Sequence, residues 1–167
     1  FFISQQNEVL LVIKERIIMA TQTFLIAGAS SSIAQICISS LVQKGNQIIA
    51  LSRQSLSIPG VECHQVESYQ TEHLPEITDE IDGIVYFPGT IQLKPFNRLS
   101  LSDFRNEMEI HSWGAVSILQ KYIGLIPKSK HGSVVLLGSV AAKLGMPYHA
   151  SVSMSKGAIH GLTLALA

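Results

Sequence analysis

Thr23-Phe24-Leu25-Ile26-Ala27-Gly28-Ala29-Ser30-Ser31-Ser32-Ile33-Ala34 sets a pattern that the rest of the chain repeats. An apolar run that stops at a glycine, as 23–27 stops at Gly28, is what a short strand buried on both faces looks like. From Ser30 to Lys44 the apolar residues Ile33, Ile36, Cys37, Leu41 and Val42 form a helical stripe that ends at Gly45. Gln47–Leu51 (QIIAL) is a second strand, and 61–66 is a weaker third. Residues 71–80 predict a short acidic helix, and 81–87 (IDGIVYF) predict a fourth strand stopped by Pro88-Gly89. Ser100 can cap a long helix that runs to about Ile126, before Pro127. Ser133–Leu137 (SVVLL) is a fifth strand, and 151–167 a final helix. Strands and helices alternating at this spacing predict right-handed βαβ units: an α/β fold with a doubly wound parallel sheet. The expected strand order is 3-2-1-4-5, with a ligand crevice at the carboxyl ends of the strands.

Composition agrees with that class. Apolar residues make up 47% of the 167, and charged residues only 14%, which suits strands covered on both faces. Twelve Lys+Arg balance twelve Asp+Glu, and no basic run is interleaved with aromatics, so nothing recruits nucleic acid. His64, His73, His131 and His160 show no metal-ligand spacing and read as surface or edge residues. Cys37 and Cys63 lie in apolar stretches and read as reduced core thiols, which predicts a cytoplasmic protein. Residues 1–18 carry an apolar run broken by Glu8, Lys14, Glu15 and Arg16, too charged to span a bilayer. The sequence predicts that they are an N-terminal extension outside the fold, with Met19 as the start. Residues 19–167 then form the domain. The pattern stops in the fifth crossover helix, so the sheet is expected to be truncated before a sixth strand.

Two stretches carry a family resemblance. Gly138-Ser139 is followed by Val152 and, four residues on, by Lys156, and the terminal KGAIHGLTLALA completes the pattern. This layout resembles the active-site segment of the short-chain dehydrogenase/reductase (SDR) family, Ser…Tyr-x-x-x-Lys, with valine in place of the tyrosine. The turn at 27–34 is similar to that family's T-G-x-x-x-G-x-G loop, with Gly28 retained and Ser32 and Ala34 at the other two glycines. The resemblance runs from Thr23 to Ala167. It implies a Rossmann-like domain that binds a nicotinamide dinucleotide, and an oxidoreductase that moves hydride between the cofactor and a carbonyl or alcohol substrate.

The resemblance assigns residues one by one. Gly28, Ser30, Ser31, Ser32 and Ile33 would cradle the pyrophosphate at a helix N-terminus. Alternatively, a serine there simply caps an ordinary helix. After strand two stand Ser52 and Arg53 and no acid, which favours the 2′-phosphate of NADP over NAD. Glu67 and Ser68 fall near the adenine. Tyr86-Phe87-Pro88-Gly89 stands where the family has N-N-A-G. Gly89 persists and both asparagines are lost, and with them, by expectation, side-chain hydrogen bonds that steady the sheet. Among the catalytic positions, Ser139 matches the serine that orients the substrate oxygen. Lys156 matches the lysine that holds the ribose, and His111 the asparagine of the proton relay. Val152 falls on the tyrosine and cannot move a proton. Tyr148 or His149, just before it, is a candidate substitute. Phe104 and Trp113 are read as core or dimer face, and a homodimer or homotetramer through the fourth and fifth helices is implied. The alternative to an enzyme is a non-catalytic dinucleotide-binding protein used for sensing or assembly.

Overall fold

A computed structural model of the chain describes residues 21–128 and 132–167. The predicted extension and Met19, and also His131, lie outside the described residues. Five parallel strands form one sheet in the order β3-β2-β1-β4-β5. They are β1 (Thr23–Ala27), β2 (Gln47–Ser52), β3 (Glu62–Gln65), β4 (Gly83–Tyr86) and β5 (Ser133–Leu136). The helices are α1 (Ser32–Gln43), α2 (Leu101–Met108), α3 (Gly114–Tyr122), α4 (Ala141–Leu144) and α5 (Ala150–Leu166). The strand order and the parallel sense agree with the sequence pattern.

Strand alternation splits the core between the two faces of the sheet. Leu25, Ile49, Leu51, Ile84 and Tyr86 pack with Ala115, Ile118 and Leu119 of α3 and Ile159 of α5. Ile26, Ile48 and Ala50 face the other way, onto Ala34 and Ile38 of α1. Each fully buried isoleucine or leucine contributes about 1.5–3 kcal/mol. The two clusters therefore hold helices against both faces, as a doubly wound sheet requires.

Three local expectations are corrected. On α1, Ile33 and Ile36 are exposed, and the inward face is Ala34, Cys37, Ile38, Leu41 and Val42. The strand-to-helix turn fixes this rotation: Gly28 sits at φ 79° and its carbonyl accepts from the Ser31 N–H, so the helix leaves the sheet with Ala34 inward. The acidic helix over 71–80 is only a 3-10 turn at Thr71–His73. Pro75 bars α geometry at Leu74, which is extended at φ −87°, ψ 135°. The long helix after Ser100 begins with the expected cap, a full capping box with Asp103. It is not uniform, however: one π turn, Glu109–Trp113, separates α2 from α3.

Candidate active site

The register of the sheet brings the singled-out residues to one edge. Ala27 pairs with Leu51 and Tyr86, Ser52 with Gln65, and Tyr86 with Leu136. Gly28, Arg53, Glu67, Gly89 and Ser139 therefore all follow the carboxyl ends of their strands, where an open α/β sheet binds its ligand.

Lys156 and Val152 lie one turn apart on α5, and both are buried. The Lys156 ammonium donates to the Leu137 carbonyl at 2.7 Å, just past β5 and two residues before Ser139. An ammonium has three N–H groups, so two remain for a ligand. Burial pushes the Lys156 pKa down, and the Glu107 carboxyl opposes that shift. The Ser139 hydroxyl oxygen accepts from the Ala141 N–H at 3.2 Å, a bond that leaves its own O–H to donate. Val152 is 4% exposed and presents only methyl groups.

His111 is 1% exposed at the centre of the π turn. The Thr90 N–H donates to its Nε2 at 2.9 Å, so in the neutral ring the proton sits on Nδ1. Nδ1–H then donates to the Ser155 hydroxyl at 2.7 Å, and Ser155 donates to the Val152 carbonyl at 3.1 Å. Both ring nitrogens are thus committed. His111 thereby clamps the loop after β4 to α5. Burial lowers its pKa to about 4, with the nearby Lys156 charge acting in the same direction. One turn earlier, Glu107 is fully buried and places Oε2 3.3 Å from His111 Nδ1. Burial raises the Glu107 pKa, opposed by the Gln92 backbone N–H and by Lys156. That N–H falls short of a good hydrogen bond, because neither carboxyl oxygen has a partner among the described residues. With the His111 pKa lowered to about 4, the imidazole is neutral and the contact is not an ion pair.

Tyr86, at the first lost asparagine, corrects the expectation that its hydrogen bonds vanish. The phenol is fully buried and donates to the Ile110 carbonyl at 2.6 Å. That carbonyl is available because the π turn sends the Gly114 N–H to Glu109 instead. Gly114 also has to be glycine here, since a β-carbon would overlap the phenol oxygen. Tyr86→Phe leaves the Ile110 carbonyl unsatisfied. It is expected to cost about 1–3 kcal/mol, read as a lower midpoint in urea unfolding with an unchanged slope.

The cofactor positions are partly gathered. Arg53 and Ser68 line a cleft of about 70 Å³ with Tyr69, Gln70, Glu109, Ile110 and Gly114. Arg53 is exposed, and Ser52 is buried, its hydroxyl accepting from the Gln54 N–H. The Ser68 hydroxyl bonds His73 at 2.7 Å, and Glu67 approaches the same imidazole at 3.6 Å. Ser31 is the N-cap of α1, its hydroxyl oxygen taken by the Ala34 N–H. Ser30, Ser32 and Ile33 surround the start of that helix, with Ser32 and Ile33 exposed. Gly89 is exposed, and a β-carbon there would come 3.2 Å from His111 Nε2. Tyr148 is 59% exposed at φ 67°, and the His149 Nδ1–H is directed at the Pro147 carbonyl at 2.7 Å. Phe104 is half-buried and Trp113 is 54% exposed, so the indole belongs to a surface and not to the core. Sequence reasoning missed Glu107 and Ser155. Their spacing, one turn before His111 and one residue before Lys156, was the signal available.

The family model for short chain dehydrogenase matches residues 61–167. The chain belongs to that family, whose members are oxidoreductases that bind nicotinamide dinucleotides. A hydroxynaphthalene reductase of Aspergillus fumigatus is 26% identical over 140 residues, 84% of this chain and 48% of that protein. An NADPH-dependent pterin aldehyde reductase of Arabidopsis thaliana is 27% identical over 170 residues, 90% of this chain and 69% of that one. The chain thus spans about half the length of the Aspergillus relative. A short chain dehydrogenase family protein of Francisella tularensis superposes with a TM-score of 0.79 at 19% identity, over 89% of this chain and 63% of that one. A short chain dehydrogenase of Burkholderia cenocepacia in complex with NADP gives 0.73 at 19% identity, over 87% and 65%. These two show the same fold.

Proposed function

We propose that residues 19–167 are the dinucleotide-binding domain of an NADP(H)-preferring oxidoreductase that acts on a carbonyl/alcohol pair. The observation that carries this reading is the Lys156 ammonium, fixed on the Leu137 carbonyl at the strand ends with N–H groups to spare. The residues fit such a cofactor. Gly28 at φ 79° makes the tight turn, a helix N-terminus and three serines face the phosphates, and the exposed Arg53 suits a 2′-phosphate. The bound dinucleotide would supply the hydride chemistry. Lys156 holds its ribose, and Ser139 orients the substrate oxygen by donating its O–H. The NADPH named for the Arabidopsis reductase supports the same preference.

Two further parts belong to the proposal. Leu101, Trp113 and Met154 are exposed, and together with Phe104, Arg105, Met108 and Glu109 they line a cavity of about 450 Å³ on the α2–α5 face. We assign that face to a second copy of the chain, read as a dimer in sedimentation and as a monomer after Trp113→Glu. A cytoplasmic location is supported by free thiols at Cys37 and Cys63. Among the described residues, no helix is long and apolar enough to cross a membrane.

Fluorescence titration with NADPH and NADH tests the cofactor reading. NADPH binds more tightly. Arg53→Ala weakens it about tenfold to a hundredfold, the loss of one charge-assisted hydrogen bond, and leaves NADH unchanged. No binding of either nucleotide overturns the reading, and equal binding overturns the NADP preference.

A further inference from the structure

We propose that His73 is a positioning residue for the base of the cofactor: it fixes the Ser68 hydroxyl as a hydrogen-bond acceptor for the 6-amino group of adenine. This rests on the oxidoreductase reading above, which sets the 2′-phosphate on Arg53. Arg53 and Ser68 line one cleft, so a base whose ribose is held through that phosphate comes within reach of Ser68. At about 70 Å³ the cleft is far below the ~300 Å³ or more that encloses a whole ligand, and it takes only an edge of the base.

The contacts around Ser68 fix its polarity. The Gln70 N–H donates to Ser68 Oγ at 3.1 Å, and His73 Nδ1 stands 2.7 Å from the same oxygen. The His73 N–H in turn donates to the Gln70 carbonyl at 3.0 Å, within the 3-10 turn that brings the imidazole back to Ser68. The tautomer decides which way the Ser68–His73 bond runs. The other ring nitrogen, Nε2, faces the Glu67 carboxylate at 3.6 Å. A nitrogen lone pair set against a carboxylate is repelled and an N–H is attracted, so the proton of the neutral ring sits on Nε2. Nδ1 is then an acceptor, and Ser68 donates its only O–H to it. Of the two lone pairs on Oγ, one takes the Gln70 N–H and the other is left for the cleft. Ser68 therefore offers the cleft an acceptor and no donor.

That polarity selects the ligand. The 6-amino group of adenine donates to such an acceptor, whereas a 6-oxo purine sets an oxygen against it and is repelled. A serine free of His73 makes no such choice, because its hydroxyl rotates to suit either group. Glu67 is mostly exposed and directed at the imidazole, so its part is to hold the tautomer. Of the other side chains on the cleft, Arg53 only donates, and the Gln70 amide nitrogen is taken by Glu109 Oε1 at 2.8 Å. The side-chain oxygens of Gln70 and Glu109 are the competing acceptors.

Fluorescence titration with NADPH and with its hypoxanthine analogue, which carries a 6-oxo group in place of the amine, reads this selection as a ratio of affinities. At about pH 8.5, where imidazole groups are neutral, the wild type is expected to prefer NADPH about tenfold, the worth of one hydrogen bond. His73→Phe keeps a ring but removes Nδ1 and frees the Ser68 O–H; it is expected to bring the ratio to about one. His73→Asn, whose side-chain oxygen can stand in for Nδ1, is expected to restore the preference. Ser68→Ala removes the acceptor itself and is expected to lose the preference while binding the hypoxanthine analogue as the wild type does. A merely structural role of His73 would weaken both nucleotides alike and leave the ratio unchanged. A ratio retained by either His73→Phe or Ser68→Ala therefore overturns the proposal and puts the amine on Gln70 or Glu109. Equal binding of the two nucleotides by the wild type also overturns it. Failure of the wild type to bind either nucleotide would instead overturn the oxidoreductase reading.

Discussion

Val152→Tyr is expected to raise NADPH-dependent turnover of 4-nitrobenzaldehyde by about 10²–10⁴, the usual contribution of a positioned general acid. Val152 is buried one turn before Lys156 on the same face of α5. A phenol there meets an ammonium already held at the strand ends by the Leu137 carbonyl. The nearby positive charge favours the phenolate, so the phenol gives up its proton more easily than free tyrosine. Val152→Phe separates chemistry from packing: it brings the ring without the hydroxyl and is expected to give no gain. Steady-state rates of the three proteins at saturating NADPH check this. A tyrosine variant no faster than the phenylalanine one would mean that the site lacks more than its acid. That result would favour a non-catalytic dinucleotide binder.

The other large effect is structural. Gly28→Ala is expected to cost about 2–5 kcal/mol, combining the penalty for a left-handed residue with that of overpacking. Gly28 sits at φ 79°, and a β-carbon would stand 2.8 Å from both the backbone nitrogen and the Cδ of Pro88. Pro88 is buried in the rigid turn after β4, so its backbone cannot swing aside as a flexible side chain would. The same turn directs α1, and its displacement is also expected to abolish NADPH binding. Urea unfolding gives the stability loss, and a titration below the unfolding transition gives the binding loss. An alanine variant of wild-type stability would show that this turn is not strained.

The fold was legible because its signals are local and repeated. Apolar runs closed by Gly28 or by Pro88-Gly89 mark buried parallel strands, and the Ser100 cap marks a helix start. The misses have local physical causes as well. The α1 stripe was read from apolar identity, whereas a tight turn chooses the face, and small Ala34 points inward while Ile33 and Ile36 do not. The 71–80 helix was read from its acidity, and Pro75 forbids it. The site was half legible. Motif spacing located Ser139, Lys156 and His111, but not what their side chains touch. Tyr86 read as a loss of hydrogen bonds, yet its phenol reaches the Ile110 carbonyl that the π turn frees. Glu107 gave no motif; only burial between two parallel helices makes it conspicuous. Long-range hydrogen bonds such as His111 to Ser155 join residues far apart in the chain, and no periodicity announces them.

A crystal structure of the protein soaked with NADP⁺ tests the central claim most directly. The account predicts the nucleotide across the strand ends, the Lys156 ammonium hydrogen-bonded to its ribose beside the Leu137 carbonyl, and Arg53 on the 2′-phosphate. Well-ordered NADP⁺ bound elsewhere, or bound there with Lys156 turned from the sugar, would contradict it.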